Sequence, residues 1–247
     1  MNQKINFLGT QVDNLSMSET VSFIEEAIEH KEKIVREDIN AAKTVWMQDD
    51  PEFKQIIHKA DLINADGQSI ILASKLLGNP IKERVAGIDL MENIVTSAYK
   101  KQWKVIFLGA SEEVVSKTVN TYTDKYSKEI IAGYHNGYFT KEDEEKIVNS
   151  INKSNANILF IGISSPKKEY FIDAHFQKLN CNLIMGVGGS FDVIAGKVNR
   201  APLWMQKSAL EWLYRLLQEP GKMWKRYLYT NTVFIWLLIR KSIMKKY

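Results

Sequence analysis

Three stretches decide the fold: KVIFL at Lys104–Leu108, ILFIGI at Ile158–Ile163 and NLIMGV at Asn182–Val187. None of them alternates apolar with polar residues, and Gly, Ser or Asn bounds each. Strands that are apolar on both faces belong in a parallel sheet covered by helices. Ser111–Tyr126, Lys141–Lys153 and Pro166–Leu179 read as the intervening helices, the first and last opening with Ser, Pro and acidic residues that suit a helix N-terminus. Upstream, Ser18–Lys31 reads as a helix with Ser18 as N-cap, and Ile34–Asn40 as a strand leading into a helix punctuated by Asp49–Asp50–Pro51. Asp61–Ala65 is then a short strand ending at Asp66–Gly67. The alternation predicts an α/β, Rossmann-like fold, a mainly parallel sheet flanked by helices.

Ligands of an open parallel sheet gather at the carboxyl ends of its strands. Here those ends are Asn40, Asp66–Gly67, Gly109–Ala110–Ser111, Gly162–Ser165 and Gly186–Asp192. They are the expected pocket lining.

The 247 residues are 45% hydrophobic and 25% charged, the composition of a globular protein rather than a disordered one. A single cysteine, Cys181, excludes a disulfide framework, and no paired Cys/His spacing suggests structural zinc. The N-terminus has no long apolar run of the kind a signal peptide needs, which predicts a cytoplasmic protein. Charge is unevenly spread. Residues 197–247 hold eleven Lys/Arg against Glu211 and Glu219, a net of +9, while the overall charge is only +4, so the first 196 residues are net acidic. The expected organisation is therefore an α/β body over 1–196 and a basic, aromatic helical appendage over 197–247. Ala201–Leu217 reads as one helix of that appendage, and a second follows Glu219–Pro220. Within it, YLYTNTVFIWLLI at Tyr227–Ile239 is flanked by Lys225–Arg226 and Arg240–Lys241. Thirteen residues fall short of the roughly 20 that span a bilayer, whereas an aromatic helix with flanking cations suits an anionic membrane surface. A buried C-terminal helix is the plainer alternative.

Asp66 can serve as a general base at a strand end, though an Asp-Gly pair there is as often a turn or helix cap. Arg84 precedes a loop-to-helix segment in which Asp89 could cap a helix ending near Lys101. It can clamp a diphosphate through bidentate hydrogen bonds or simply pair with Asp89. Gly186–Asp192, with Gly188, Gly189 and Asp192, would let backbone amides approach phosphate oxygens, yet matches neither common phosphate-binding fingerprint. Lys167 and Lys168, next to Glu169, open a helix against its dipole, which suggests that they face an anionic ligand. There is no Asp-x-Asp metal clip, the four histidines are scattered, and no GxSxG elbow occurs, so neither a metal nor another cofactor, nor a nucleophilic serine, is indicated. Cys181 reads as a buried, inert thiol.

Ordered along almost the whole chain are INA (39–41), ADG (65–67), RVAG with D and L (84–90), FLGA (107–110), HNGYF (135–139), GISSPKKE (162–169), GVGGSFDVIAGKVNRAPLWMQ (186–206) and LEWLYRLLQEP (210–220). In these blocks the chain resembles the WecG/TagA/CpsF glycosyltransferases, bacterial enzymes that extend a lipid-diphosphate-linked sugar. The resemblance implies an inverting, metal-independent transfer of N-acetylmannosamine from its UDP donor to undecaprenyl-diphosphate-linked N-acetylglucosamine, in wall teichoic acid linkage-unit synthesis. It places Asp66 at the general base, Arg84 and Asn40 in the pocket, and Arg215, Lys222, Lys225 and Arg226 in a tail that approaches the membrane, contacts a diphosphate and closes over the site. It also implies peripheral association with the inner face of the membrane and is compatible with a homo-oligomer. Two positions depart from the family pattern: Asp38 stands where Thr is usual and Lys168 where Gln is usual. An Asp beside a uridine diphosphate repels it unless a cation such as Lys168 intervenes, so the donor sugar is the open point. The competing readings are a non-catalytic nucleotide-binding membrane adaptor and a nucleic-acid binder. The second is disfavoured because the tail is apolar as well as basic.

Overall fold

The computed structural model describes residues 3–244, with the side chain of Lys222 outside that description. In chain order, β1 (Lys4–Phe7) and β2 (Thr10–Asp13) are followed by α1 (Met17–Glu29), β3 (Ile34–Ile39), α2 (Ala41–Asp49), α3 (Pro51–His58), β4 (Leu62–Ala65) and α4 (Gln68–Leu76). Next come α5 (Gly87–Lys101), β5 (Val105–Gly109), α6 (Glu112–Lys125), β6 (Ile131–His135), α7 (Glu144–Lys153), β7 (Ile158–Gly162), α8 (Lys167–His175), β8 (Leu183–Gly186) and α9 (Ser190–Ile194). The chain ends with α10 (Leu203–Lys207), α11 (Glu211–Gln218) and α12 (Pro220–Met244). The sheet runs β4-β3-β8-β7-β5-β6. The expected Rossmann-like α/β fold, a parallel sheet flanked by helices with a C-terminal helix, is what forms.

The chain divides into two compact units. One comprises Ser18–Glu37 and Gly87–Asn199 and is built on parallel pairs, with β7 between β5 and β8. Its three decisive strands are buried along their length, apart from half-buried Gly162. Phe107 anchors the aromatic core: its ring centroid lies 5.7 Å from that of Tyr122, 6.0 Å from Phe160 and 5.7 Å from Phe191. At the carboxyl ends of β5 and β7 the backbones approach so closely that only glycine fits. Gly109 has φ +128°, and a Cβ there would meet the Gly162 backbone at 2.6 Å, while a Cβ on Gly162 would enter the Phe191 ring at 2.3 Å. Ser111 caps α6 by accepting the Val114 N–H, as the sequence suggests.

The other unit comprises Asp38–Ala86 with the N-terminal residues up to Met17 and the C-terminal residues from Arg200. The β1–β2 hairpin turns through Leu8 and Gly9, both at positive φ, and the Asp13 carboxylate accepts the Ile63 N–H of β4 at 2.9 Å. Asn40 and Asp50 cap α2 and α3 in turn, each by accepting a backbone N–H three residues on. Helix α12 lies on this framework. The Phe234 ring sits 6.5 Å from Phe7, the Tyr229 hydroxyl donates to Asp49, and the Arg226 guanidinium stacks 5.0 Å over Trp46. Met223, Thr230 and Phe234 are buried by this packing.

Local details differ from the sequence expectations. Helix α1 starts at Met17, so Ser18 is inside it, and Asp89 lies in the first turn of α5 rather than capping it. Helix α8 stops at His175. The single helix expected over Ala201–Leu217 is two, because Ala209 takes φ +59°, a left-handed conformation that ends α10 and starts the chain afresh at α11. The hairpin and β6 have no counterpart in the sequence reading. The four-residue strands β1 and β2 and the Gly-containing β6 (IAGYH) offer too little apolar periodicity to announce themselves.

Two outcomes follow from this packing. Gly162→Ala lowers stability by about 1–3 kcal/mol through overpacking against the fully buried Phe191, which a shifted urea midpoint with unchanged slope reports. Burial pushes the Cys181 thiol up to about 12, so at pH 8 a disulfide reagent modifies the native protein only as fast as it opens; prompt modification would contradict that burial.

Candidate active site

In the unit that contains Asp66, three chain segments converge through Arg84. Its Nε–H donates to the backbone carbonyl of Asp66 at 2.5 Å, and its Nη2 lies 3.8 Å from the Asp66 carboxylate and 2.6 Å from Glu211 Oε2. The Asp66 N–H donates to Ile39 O at the end of β3, and the Val85 N–H donates to Ala65 O. Asp66 is thus held at the carboxyl end of β4 by its backbone, with a carboxylate that is partly exposed (30%). Gly67 caps α4 directly after it, and a Cβ added there would lie 3.5 Å from the Asn40 Cβ, which brings Asn40 beside the Asp66–Gly67 turn.

Asn40 is fixed on both edges. Its Oδ1 accepts the Lys43 N–H at 3.0 Å, and its Nδ2 donates to Asp38 Oδ2 at 3.3 Å. The Lys43 ammonium donates to the other Asp38 oxygen at 3.2 Å, and both residues are buried. An ion pair out of water is held by geometry and hydrogen bonding rather than by solvent, and removing one partner leaves a charge that is expensive to bury.

Glu211 and Arg215 lie one turn apart on α11, and Arg215 pairs at 2.8 Å with Glu219. Arg215 is therefore on the helix face that meets Arg84 through Glu211. Lys225 stacks over Trp224, and Arg226, itself exposed, stacks over Trp46 of α2 and over Tyr227. Lys222 lies outside the described side chains.

In the other unit, Lys168 is buried against Glu169 and Ser165. Its Nζ donates to Ser165 Oγ at 2.8 Å and to the Glu169 carboxylate, which also accepts the Ser165 hydroxyl at 2.7 Å. Gly186 has no side chain because the Lys168 stem occupies that space: a Cβ would meet its Cε at 2.3 Å. Lys167 instead lies 4.4 Å from the centroid of the Phe139 ring, with its Nζ donating to Phe139 O. Gly188 takes φ +51° and Gly189 caps α9, while Asp192, inside that helix, accepts the Lys197 and Val198 N–H groups at its backbone carbonyl, and its carboxylate lies 3.6 Å from the Lys197 ammonium. Gly109 stands at the end of β5 against Gly162.

Residues 5–247 match the family described as "Glycosyl transferase WecG/TagA/CpsF family". The chain belongs to the WecG/TagA/CpsF glycosyltransferases. It is similar to the N-acetylglucosaminyldiphosphoundecaprenol N-acetyl-beta-D-mannosaminyltransferase of Bacillus spizizenii, 34% identical over 178 residues, which are 72% of this chain and 68% of that protein. A protein of the same name from Staphylococcus aureus strain MW2 is 32% identical over 225 residues, 90% of this chain and 86% of its own length.

As a WecG/TagA/CpsF glycosyltransferase the chain is an enzyme that transfers a sugar. The Asp38 charge has its own cation in Lys43, a residue the sequence reading passed over. Glu211 was likewise read only as a tail charge, and its place beside Arg84 is decided by the packing of α11.

Lys43→Met is expected to destabilise the protein by about 3 kcal/mol, because it strands the buried Asp38 carboxylate. Adding Asp38→Asn recovers more than half of that loss in urea unfolding. Additive losses in the double variant would show that the two charges do not depend on each other.

Proposed function

We propose that this enzyme moves N-acetylmannosamine from UDP-N-acetylmannosamine to undecaprenyl-diphosphate-linked N-acetylglucosamine, with inversion and without a metal, as a step of wall teichoic acid linkage-unit synthesis. The observation that carries the reading is the grouping of Asp66, Arg84 and the Glu211–Arg215 face of α11 at the carboxyl end of β4. The names of the relatives supply the substrates. Asp66 is a carboxylate fixed by its backbone and partly open to solvent, a suitable general base. The acceptor hydroxyl oxygen attacks the anomeric carbon from the face opposite the diphosphate and gives its proton to Asp66. The bond from that carbon to the phosphate oxygen breaks, and UDP leaves with the electron pair. Arg84 and Arg215 stabilise the diphosphate charge, with Lys222, Lys225 and Arg226 as further cations on the tail. Asn40, Gly67, Gly109, Lys167, Lys168, Glu169, Gly188, Gly189 and Asp192 complete the substrate-binding set of this proposal. Among the described residues no three His, Cys, Asp or Glu side chains gather as a metal ion would require.

Among the described residues no helix is long and apolar enough to cross a membrane. The tail 197–247 supports peripheral association instead, at the inner face of the cell membrane, through the exposed Trp224 and Trp236 and the cations around them. The alternative reading is a UDP-sugar donor other than N-acetylmannosamine, since Asp38 stands where the family resemblance implies Thr.

With EDTA present, the wild-type chain should release UDP from UDP-N-acetylmannosamine only when the lipid-diphosphate acceptor is added. Asp66→Asn should lower that rate at least about a hundredfold, the usual worth of a general base. Release by another UDP-sugar alone reassigns the donor, and a fully active Asp66→Asn removes the assigned base.

A further inference from the structure

One exposed face of α4 changes character along its length. The helix begins next to Asp66, and the residues it turns away from the core are Gln68 and Ser69, then Leu72, then Lys75 and Leu76, with Ile70, Ile71, Ala73 and Ser74 buried behind them. These positions are three and four apart and form one stripe. It is polar at the Asp66 end and apolar at the far end, where Leu76 is 70% exposed. There Leu76 forms one wall of a groove whose other wall is α12: Ile235, Leu238, Ile239, Ser242 and Ile243. The groove has a volume of about 300 Å³, and among the described residues Ser242 is its one polar lining residue. Exposed leucines scattered singly need no explanation, but a contiguous apolar groove asks for an apolar occupant.

We infer that this groove holds the first prenyl units of the lipid acceptor, with its diphosphate lying along α4 and its sugar at Asp66; the inference rests on the transfer reaction proposed above. The order of polarity along α4 is the order of chemistry along such an acceptor: sugar hydroxyl, charged diphosphate, hydrocarbon. Nine residues at about 1.5 Å each give α4 a length of about 13 Å, which an extended sugar diphosphate can bridge. Charge agrees as well. Lys75, in the last turn of α4, places a cation between the stretch assigned to the diphosphate and the apolar groove. A bilayer acyl chain would need no polar-to-apolar gradient leading to Asp66, and a second copy of the chain would need no cation there.

The test is binding of geranyl, farnesyl and geranylgeranyl diphosphate, each below its aggregation concentration, to the full-length protein. Binding of these ligands needs no sugar transfer. Affinity should rise at least about tenfold from geranyl to farnesyl diphosphate as the added carbons leave water. Leu76→Asp and Ile239→Asp should each erase that increment, both being exposed positions whose substitution spares the core. Leu228→Asp, equally exposed on α12 but outside the groove, should keep it. Equal affinity for all three chain lengths, or an increment that survives both groove substitutions, overturns the inference. So does a loss confined to partition onto phosphatidylcholine vesicles, which assigns the groove to the bilayer, or to self-association in light scattering, which assigns it to a second copy. Failure of the wild-type chain to transfer any sugar to the lipid acceptor counts against the proposed reaction instead and is read in a separate assay.

Discussion

The Arg84 guanidinium ties together the parts of the site that lie in one unit. One edge holds the backbone at the end of β4, and the other reaches the Asp66 carboxylate and Glu211 of α11. A planar, permanently charged fork can meet a carbonyl and two carboxylates at fixed angles, which a lysine ammonium cannot do with equal rigidity. The position of the candidate base and the docking of the tail helix therefore depend on the same side chain. That coupling gives the tail a structural part as well as an electrostatic one, since α11 and α12 are packed with Asp38–Ala86 in a single compact unit.

Charge burial is the second recurring constraint. Strand β3 carries Arg36, Glu37 and Asp38 in succession, and all three are buried. In a half-exposed strand such a run would simply face water. Here it forms part of an inner strand of the sheet, so its charges must be answered by protein groups, as Lys43 answers Asp38. Lys168 and Glu169 repeat the arrangement beside Gly186, where the absence of a Cβ makes room for the lysine stem. Each pair stands next to a strand end of its own unit. A pre-paired cation there is already desolvated and oriented, so it needs little rearrangement to meet an anion.

Much of the fold was legible because its signals are local. The runs at 105–109, 158–162 and 183–186 are apolar on both faces, Ser111, Asn40 and Asp50 are strong capping residues, and Asp66–Gly67 ends a strand. What stayed illegible has weak local signals. Four-residue hairpin strands carry little periodicity, and the helix break at Ala209 comes from a left-handed backbone that the residue type itself disfavours. Of the candidate site, Asp66 stood out by its place at the end of a strand, whereas Arg84 on its loop was an ordinary charge until the family resemblance placed it in the pocket. Glu211 and Lys43 did not stand out, because an acidic residue in a helix's first turn and a lysine in another's are ordinary solvated charges until a partner is seen.

The sequence by itself determined the α/β class, the family, and the segregation of positive charge into residues 197–247. Each of these is written in neighbouring residues or in motif order, so it needs no knowledge of distance in space. Tertiary structure alone decided that Arg84 meets Glu211, that Lys43 neutralises Asp38, that α12 lies on α2 and the hairpin, and that Leu76 faces Ile235 and Ile239 across a groove. These contacts join residues up to well over a hundred positions apart. Their energies depend on burial and orientation, which no local pattern encodes.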